Sequence, residues 1–119
     1  ILMNCQEFAT LSEYGIDVKV IVLHNDTLGM IVQLQDFFYN HHYSQCTLNK
    51  RKNLPMLAES LGVKGYAIEK QDDLTPVLKE AFAHKGPALV DIRISPEERV
   101  YPTVPGGKAL SDMILGGDA

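Results

Sequence analysis

DVKVIVLHNDTLGMIVQLQDFFY, residues 17–39, sets the architecture of this chain. Four β-branched or aliphatic residues stand in a row from Val20 to Leu23, within residues 17–24, DVKVIVLH. Near-continuous apolarity marks a strand covered on both faces, as in a parallel sheet. Asn25-Asp26-Thr27 then breaks the run with turn formers. Gly29 to Tyr39 reads as a helix. Strand, polar turn and helix together make the first half of a parallel crossover.

The flanking segments repeat this grammar. Residues 3–14, MNCQEFATLSEY, place Phe8 and Leu11 one turn apart, which predicts a short amphipathic helix with Asn4 as its cap and Gly15 as its stop. Residues 40–53 are polar and predict a surface loop, followed by a helix from Leu54 to Leu61 that ends at Gly62. Residues 63–69 alternate as a strand. Asp72 or Asp73 can cap a helix running to His84, with Pro76 tolerated in its first turn. Gly86-Pro87 is a turn, and Ala88 to Ile94 is a third strand. The tail, residues 95–119, carries Pro96, Pro102, Pro105 and Gly106-Gly107, then a short helix around Leu110 to Leu115. The order αβααβαβα predicts the α/β class, an open parallel sheet with helices on both faces. Three strands make a thin core, and the chain opens at Ile1-Leu2-Met3 in mid-pattern without a signal-peptide charge cluster. The expectation is a piece of something longer, with neighbouring strands outside it.

Composition narrows the function classes. The 119 residues fit one small domain of net charge −4. An acidic chain without a long Lys/Arg block argues against nucleic acid or an anionic membrane as partner. Hydrophobic residues at 45% and charged residues at 22% lie in the globular range. The run Val20 to Leu23 is far below the roughly 20 apolar residues of a membrane span. Cys5 and Cys46 offer neither a disulfide framework nor a CxxC pair, so two free thiols and a cytoplasmic location are expected.

Ligands of open α/β sheets bind outside the carboxyl ends of the strands, which directs attention to the turn after the first strand. It offers the Asn25 amide oxygen, the Asp26 carboxylate, the Thr27 hydroxyl and carbonyl, and Gly29 at a helix start. Hard oxygen donors beside a helix N-terminus can hold Mg²⁺ together with a phosphate. The same letters also describe an ordinary strand-to-helix turn, and spacing alone leaves both readings open. Met30, Leu34 and Phe38 share one helical face, which spacing alone assigns to core packing. His41-His42 reads as a solvated loop, and Lys50-Arg51-Lys52 as a solvent-facing basic run. Glu97-Glu98 stands on a segment read as extended, where neighbours face opposite ways and make no acid/base pair.

Longer motifs add weight. Met3-Asn4, Gln6-Glu7-Phe8, His24-Asn25, Leu28-Gly29-Met30 and Gln33-Leu34, with the tail PEERVYPTVPGGKALSDMI, run in order over essentially the whole chain. In this the chain resembles the thiamine-diphosphate-binding domain of acetohydroxyacid synthase (acetolactate synthase), in its C-terminal part with a C-terminal arm at about 95–119. The resemblance implies an incomplete thiamine-diphosphate-binding fold with Asn25 and the Thr27 backbone carbonyl as Mg²⁺ ligands. Leu28, Gly29 and Met30 would lie against the cofactor, with the helix N-terminus facing its diphosphate. Met30, Leu34 and Phe38 would line the substrate channel, and Gly106 matches a position that closes over it.

The implied reaction decarboxylates pyruvate and joins the two-carbon remainder to a second 2-oxo acid, giving 2-acetolactate or 2-aceto-2-hydroxybutyrate in branched-chain amino acid synthesis. The resemblance places the activating glutamate in another domain of a partner subunit, so no catalytic residue is expected in this chain. FAD belongs to a middle domain and is not bound by this segment. A homodimer or tetramer is implied, and a regulatory subunit is compatible with it. Three departures stand out. The family's Gly-Asp-Gly signature, whose aspartate is the charged Mg²⁺ ligand, would fall just before residue 1. His24 replaces the first asparagine of a pair and is read as packing or hydrogen-bonding at the strand end. Leu34 replaces a tryptophan that shapes the pocket for the second acid and for herbicidal inhibitors. The isolated segment is therefore expected to be inactive. Two other readings remain: a non-catalytic α/β remnant serving in subunit contact, and a related thiamine-diphosphate oxidase or decarboxylase.

Overall fold

A computed structural model describes residues 1–48 and 52–116. Its helices are α1 (Glu7–Glu13), α2 (Gly29–Phe38), α3 (Leu54–Ser60) and α4 (Leu74–Ala83), and its strands β1 (Lys19–His24), β2 (Lys64–Ile68) and β3 (Ala88–Arg93). The chain divides into two compact units, one of Ile1–His24 with Arg51–Ile94, the other of Asn25–Lys50 with Ser95–Ala119.

In the first unit the strands are all parallel and ordered β1-β3-β2. Register aligns Ile21, Val90 and Tyr66 in one row and Val22, Asp91 and Ala67 in the next. Alternation sends these rows to opposite faces. On one face Phe8 of α1 and Leu54 and Ala58 of α3 close over Leu89, with Val20 and Val22 beside it. On the other, Ala81, Val77 and Leu78 of α4 pack with Val90, Ile68, Tyr66 and Ile92. Leu89 and Val90 are wholly buried, one toward each face. Each contributes about 1.5–3 kcal/mol of apolar burial. The expected open parallel sheet with helices on both faces is thus the observed one.

Several local expectations are corrected. Among the described residues β1 is not covered on both faces: Ile21 and Leu23 remain 41% and 64% exposed. One helix about 10 Å wide spans only two strands spaced about 4.8 Å apart, and α4 sits over β2 and β3. Asn4 does not cap α1; it lies in a 3-10 turn, Leu2–Asn4, and Gln6 stands at the helix N-cap. Neither Asp72 nor Asp73 caps α4 through its side chain. Gln71–Asp73 forms a 3-10 turn, and Asp73 carries helical angles, whereas a capping side chain works from an extended backbone.

α3 begins where Asn53 Oδ1 accepts the Met56 N–H at 2.9 Å. It ends at Gly62, whose φ of +79° and whose neighbour, the Ser12 hydroxyl, both exclude a side chain. Gly65 of β2 lies against the Pro55 backbone so closely that a Cβ would come within 2.6 Å of the Pro55 carbonyl oxygen.

The second unit holds α2, the loop after it and the arm. Thr27 and Thr47 form an antiparallel bridge, as do Thr103 and Ile114. The helix expected at 110–115 is a single 3-10 turn, Leu110–Asp112, because Ile114 exchanges hydrogen bonds with Thr103.

Candidate functional site

The chain leaves β1 at His24 and enters α2 through four residues, each with a geometric role. Asn25 Oδ1 accepts the Thr27 N–H at 3.1 Å, an Asx-type turn. Asp26 adopts φ +54°, a left-handed backbone that costs a non-glycine residue roughly 1–2 kcal/mol. The strain is held by two flanking bonds, Leu48 N–H to Asp26 O and Leu28 N–H to Cys46 O, both 2.8 Å. These bonds bracket the Thr27–Thr47 bridge. Thr27 therefore occupies a non-hydrogen-bonded pair, whose N–H and C=O point away from the partner strand. The Thr27 carbonyl accordingly faces the side on which its N–H meets the Asn25 amide.

Leu28 stands at the N-cap of α2 and offers no side-chain acceptor to the first-turn N–H groups. That end of the ten-residue helix keeps its positive dipole available to an anion. A Cβ on Gly29 would sit 3.4 Å from Asn25 Nδ2, so the glycine leaves the amide its place. The Thr27 hydroxyl oxygen is buried and has no hydrogen-bond partner among the described residues. A buried hydroxyl left unpaired costs about 1–3 kcal/mol. Amide, carbonyl and hydroxyl oxygens at an uncapped helix N-terminus are the donor chemistry that Mg²⁺ with a diphosphate requires. Among the described residues no group of three or more His, Cys, Asp or Glu side chains could hold a metal. Any ion at this turn would take neutral oxygens here and its charged ligand from elsewhere.

The structure brings Asn25, Thr27, Leu28 and Gly29 into one turn, and sets Met30, Leu34 and Phe38 along one exposed face of α2 while Val32 and Gln33 are buried. Core packing therefore does not account for that stripe within the described residues. Gly106 is not brought against it: a Cβ there would meet nothing within 4 Å.

His24 does hydrogen-bond at the strand end. Its Nδ1 lies 3.0 Å and 3.2 Å from the two carboxylate oxygens of Asp91. The pair is diagonal across β1 and β3, since His24 stands opposite Arg93 in register. Asp91 also lines a cavity of about 240 Å³ with Lys52, Asn53, Pro55, Ala67 and Glu69. Lys50 and Arg51, the rest of the basic run, lie outside the described residues.

A second cluster escaped the sequence reading. Gln33, 3% exposed, donates from Nε2 to the Val100 carbonyl and accepts the Val100 N–H, both at 3.0 Å. One turn on, Asp36 accepts from Arg99 Nε at 2.5 Å and from the Tyr43 hydroxyl at 2.5 Å, with His41 Nδ1 at 3.1 Å. Burial would raise the Asp36 carboxyl, but bonds from Tyr43, Arg99 and His41 and the Arg99 charge outweigh it and hold it at about 2. Burial would likewise lower Arg99, yet its bond to Asp36 keeps it above its ordinary range. Glu97 and Glu98 are not on an extended segment: Ser95 bonds to both backbone N–H groups and turns the chain, so both line one cavity of about 670 Å³ with Asp36, Arg99, Tyr43 and Tyr101. The available signal was the i, i+3 spacing of Gln33 and Asp36 on a mostly apolar helix.

Residues 1–92 match the family described as thiamine pyrophosphate enzyme, C-terminal TPP binding domain. The mitochondrial acetolactate synthase of Schizosaccharomyces pombe is 42% identical over 113 residues, covering 95% of this chain and 17% of that protein. The acetolactate synthase large subunit of Haemophilus influenzae is 42% identical over 116 residues, covering 97% of this chain and 20% of that protein. The chain thus spans about a fifth of the length of these relatives. Among solved structures, a Rhodococcus jostii thiamine diphosphate-dependent 4-hydroxybenzoylformate decarboxylase superposes with TM-score 0.67 at 26% identity, over 74% of this chain and 16% of that one. A Campylobacter jejuni transketolase shares the fold, with TM-score 0.54 and 14% identity over 76% of this chain and 13% of that one. No helix among the described residues is long and apolar enough to cross a membrane.

Proposed function

This chain belongs to the thiamine pyrophosphate enzymes, within their C-terminal TPP binding domain, and on that footing we propose that it is the metal- and diphosphate-holding part of an acetolactate synthase. Residues 1–119 would be the C-terminal portion of that domain, with the arm at about 95–119. The observation that supports the reading is the turn itself: the Asn25 amide oxygen accepts the Thr27 N–H within a strained loop at an uncapped helix start.

Asn25 Oδ1 and the Thr27 carbonyl would ligate Mg²⁺, and the N–H groups at Gly29 and Met30 would receive the diphosphate. Thiamine diphosphate, when bound, supplies the electron sink that makes decarboxylation and carbon–carbon bond formation accessible. The protein's part is position. Leu28 and Met30 would give the cofactor an apolar seat, and Met30, Leu34 and Phe38 would orient the 2-oxo acids and exclude water. Gly106 would contribute to closing the channel only if the arm moves toward it. FAD would belong to a different domain, and the working assembly would be a cytoplasmic homodimer or tetramer, with or without a regulatory subunit.

The test is pyruvate condensation by the complete protein, with Mg²⁺ and thiamine diphosphate supplied. Acetolactate formation that Asn25→Ala reduces by about 10²-fold or more, with a matching loss of Mg²⁺ dependence, is the expected result. A complete protein that binds neither ion nor cofactor would overturn the proposal. The likeness to a decarboxylase favours a second reading, simple decarboxylation. It predicts acetaldehyde in place of acetolactate as the product from pyruvate.

A further inference from the structure

Three side chains of α2 grip the segments on either side of it. Gln33 pairs with both backbone groups of Val100 in the arm. Gln35 pairs in the same reciprocal way with Ser44 in the loop, at 3.2 and 3.3 Å. Asp36 alone holds both segments. Its Oδ2 takes Arg99 of the arm, and its Oδ1 takes Tyr43 and His41 of the loop.

The side chains of Asp36 and Arg99 are only 12% and 16% exposed, so the pair is far better screened from water than an ordinary surface ion pair. Gln33 and Asp36 stand three residues apart on one face of α2. Met30, Leu34 and Phe38 stand on another and remain exposed. An arm held on the first face leaves the apolar stripe open.

We infer that Asp36 is a positioning residue: one carboxylate locks the arm and the post-helix loop to α2 together, and so fixes which face of α2 a ligand can reach. Resting on the function proposed above, that ligand is the second 2-oxo acid. Arg99 and Gln33 complete the hold on the arm, and Tyr43 the hold on the loop.

Hydrogen exchange followed by mass spectrometry on the complete protein tests the lock without any need for activity. Asp36→Asn should speed exchange by about tenfold or more in both the arm (residues 95–104) and the loop (residues 39–48), with the β3 peptide unchanged. Arg99→Gln, which empties no core position, should speed the arm and leave the loop as it was. The charge-swapped double variant Asp36→Arg with Arg99→Asp should restore protection to the arm but not to the loop, whose Tyr43 and His41 have lost their acceptor. Unchanged exchange in Asp36→Asn, or an arm that the swap does not rescue, overturns the lock.

Kinetics then test its consequence. In Arg99→Gln the KM for the second 2-oxo acid should rise by about tenfold with kcat within about twofold. Faster arm exchange with an unaltered KM overturns the link to the ligand face. A wild-type protein that makes no acetolactate defeats the proposed reaction, while the exchange results judge the lock by themselves.

Discussion

Asp91, in the central strand β3, holds the ring of His24 at the end of β1 through both of its carboxylate oxygens. Both side chains are nearly out of solvent, at 3% and 11% exposure. The residue before the Asn25 turn is thereby anchored to the middle of the sheet. Asp91→Ala would remove both carboxylate oxygens from the His24 Nδ1. Thermal unfolding should show a loss of about 1–3 kcal/mol, and Asp91→Asn, which keeps one acceptor oxygen, a smaller one. Equal stability for Asp91→Ala and wild type would show that the pair contributes nothing.

Gly65 and Gly106 should answer substitution with very different costs. A Cβ on Gly65 would press into the Pro55 backbone, which cannot rotate aside. Gly65→Ala should destabilise by about 1–3 kcal/mol as an overpacked α3–β2 contact. Gly106→Ala meets open space and should change stability by less than about 0.5 kcal/mol. Paired denaturant titrations check both.

Leu34 is half-exposed on α2 and lacks the area of an indole. On the function proposed above, Leu34→Trp should strengthen selection for the larger acceptor and tighten herbicide binding. Competition between pyruvate and 2-oxobutyrate in the complete enzyme measures the first effect, and no change in product ratio would refute it.

The Asp36 carboxyl sits at about 2, below the ordinary range near 3.9, so its ionised form is favoured by folding. Its contribution is fully present above about pH 4 and is lost as the pH falls toward 2. Arg99, Tyr43 and His41 face it directly, and Glu97 and Glu98 line the same cavity. Arg99 keeps its charge across this interval, so the loss belongs to the carboxylates. Exchange in the arm should accelerate between pH 4 and 2, after correction for intrinsic rates, more steeply in wild type than in Asp36→Asn. Parallel profiles would remove Asp36 from the account.

Sequence periodicity located β1 and β3 by their apolar runs and β2 by its alternation. It failed on β1 exposure, since an apolar run reports what a strand can bury and not how many helices lie over it. The Asn25 turn was visible because its donor types sit side by side in the chain. The Asp36–Arg99 pair was not, because the two residues are 63 positions apart and each looks like a solvated surface charge. Asn4 and Asp73 misled for a shared reason: a capping letter works only where the backbone is extended, and both stand in tight 3-10 turns.

Cys46 is 2% exposed, and its backbone carbonyl receives the Leu28 N–H at the entrance of α2. At that exposure a thiol reagent reaches its sulfur through local opening of the segment around the Thr27–Thr47 bridge. The alkylation rate at Cys46 therefore follows the opening of the segment that carries the Thr27–Thr47 bridge, and the more accessible Cys5, in the other unit, serves as its internal reference.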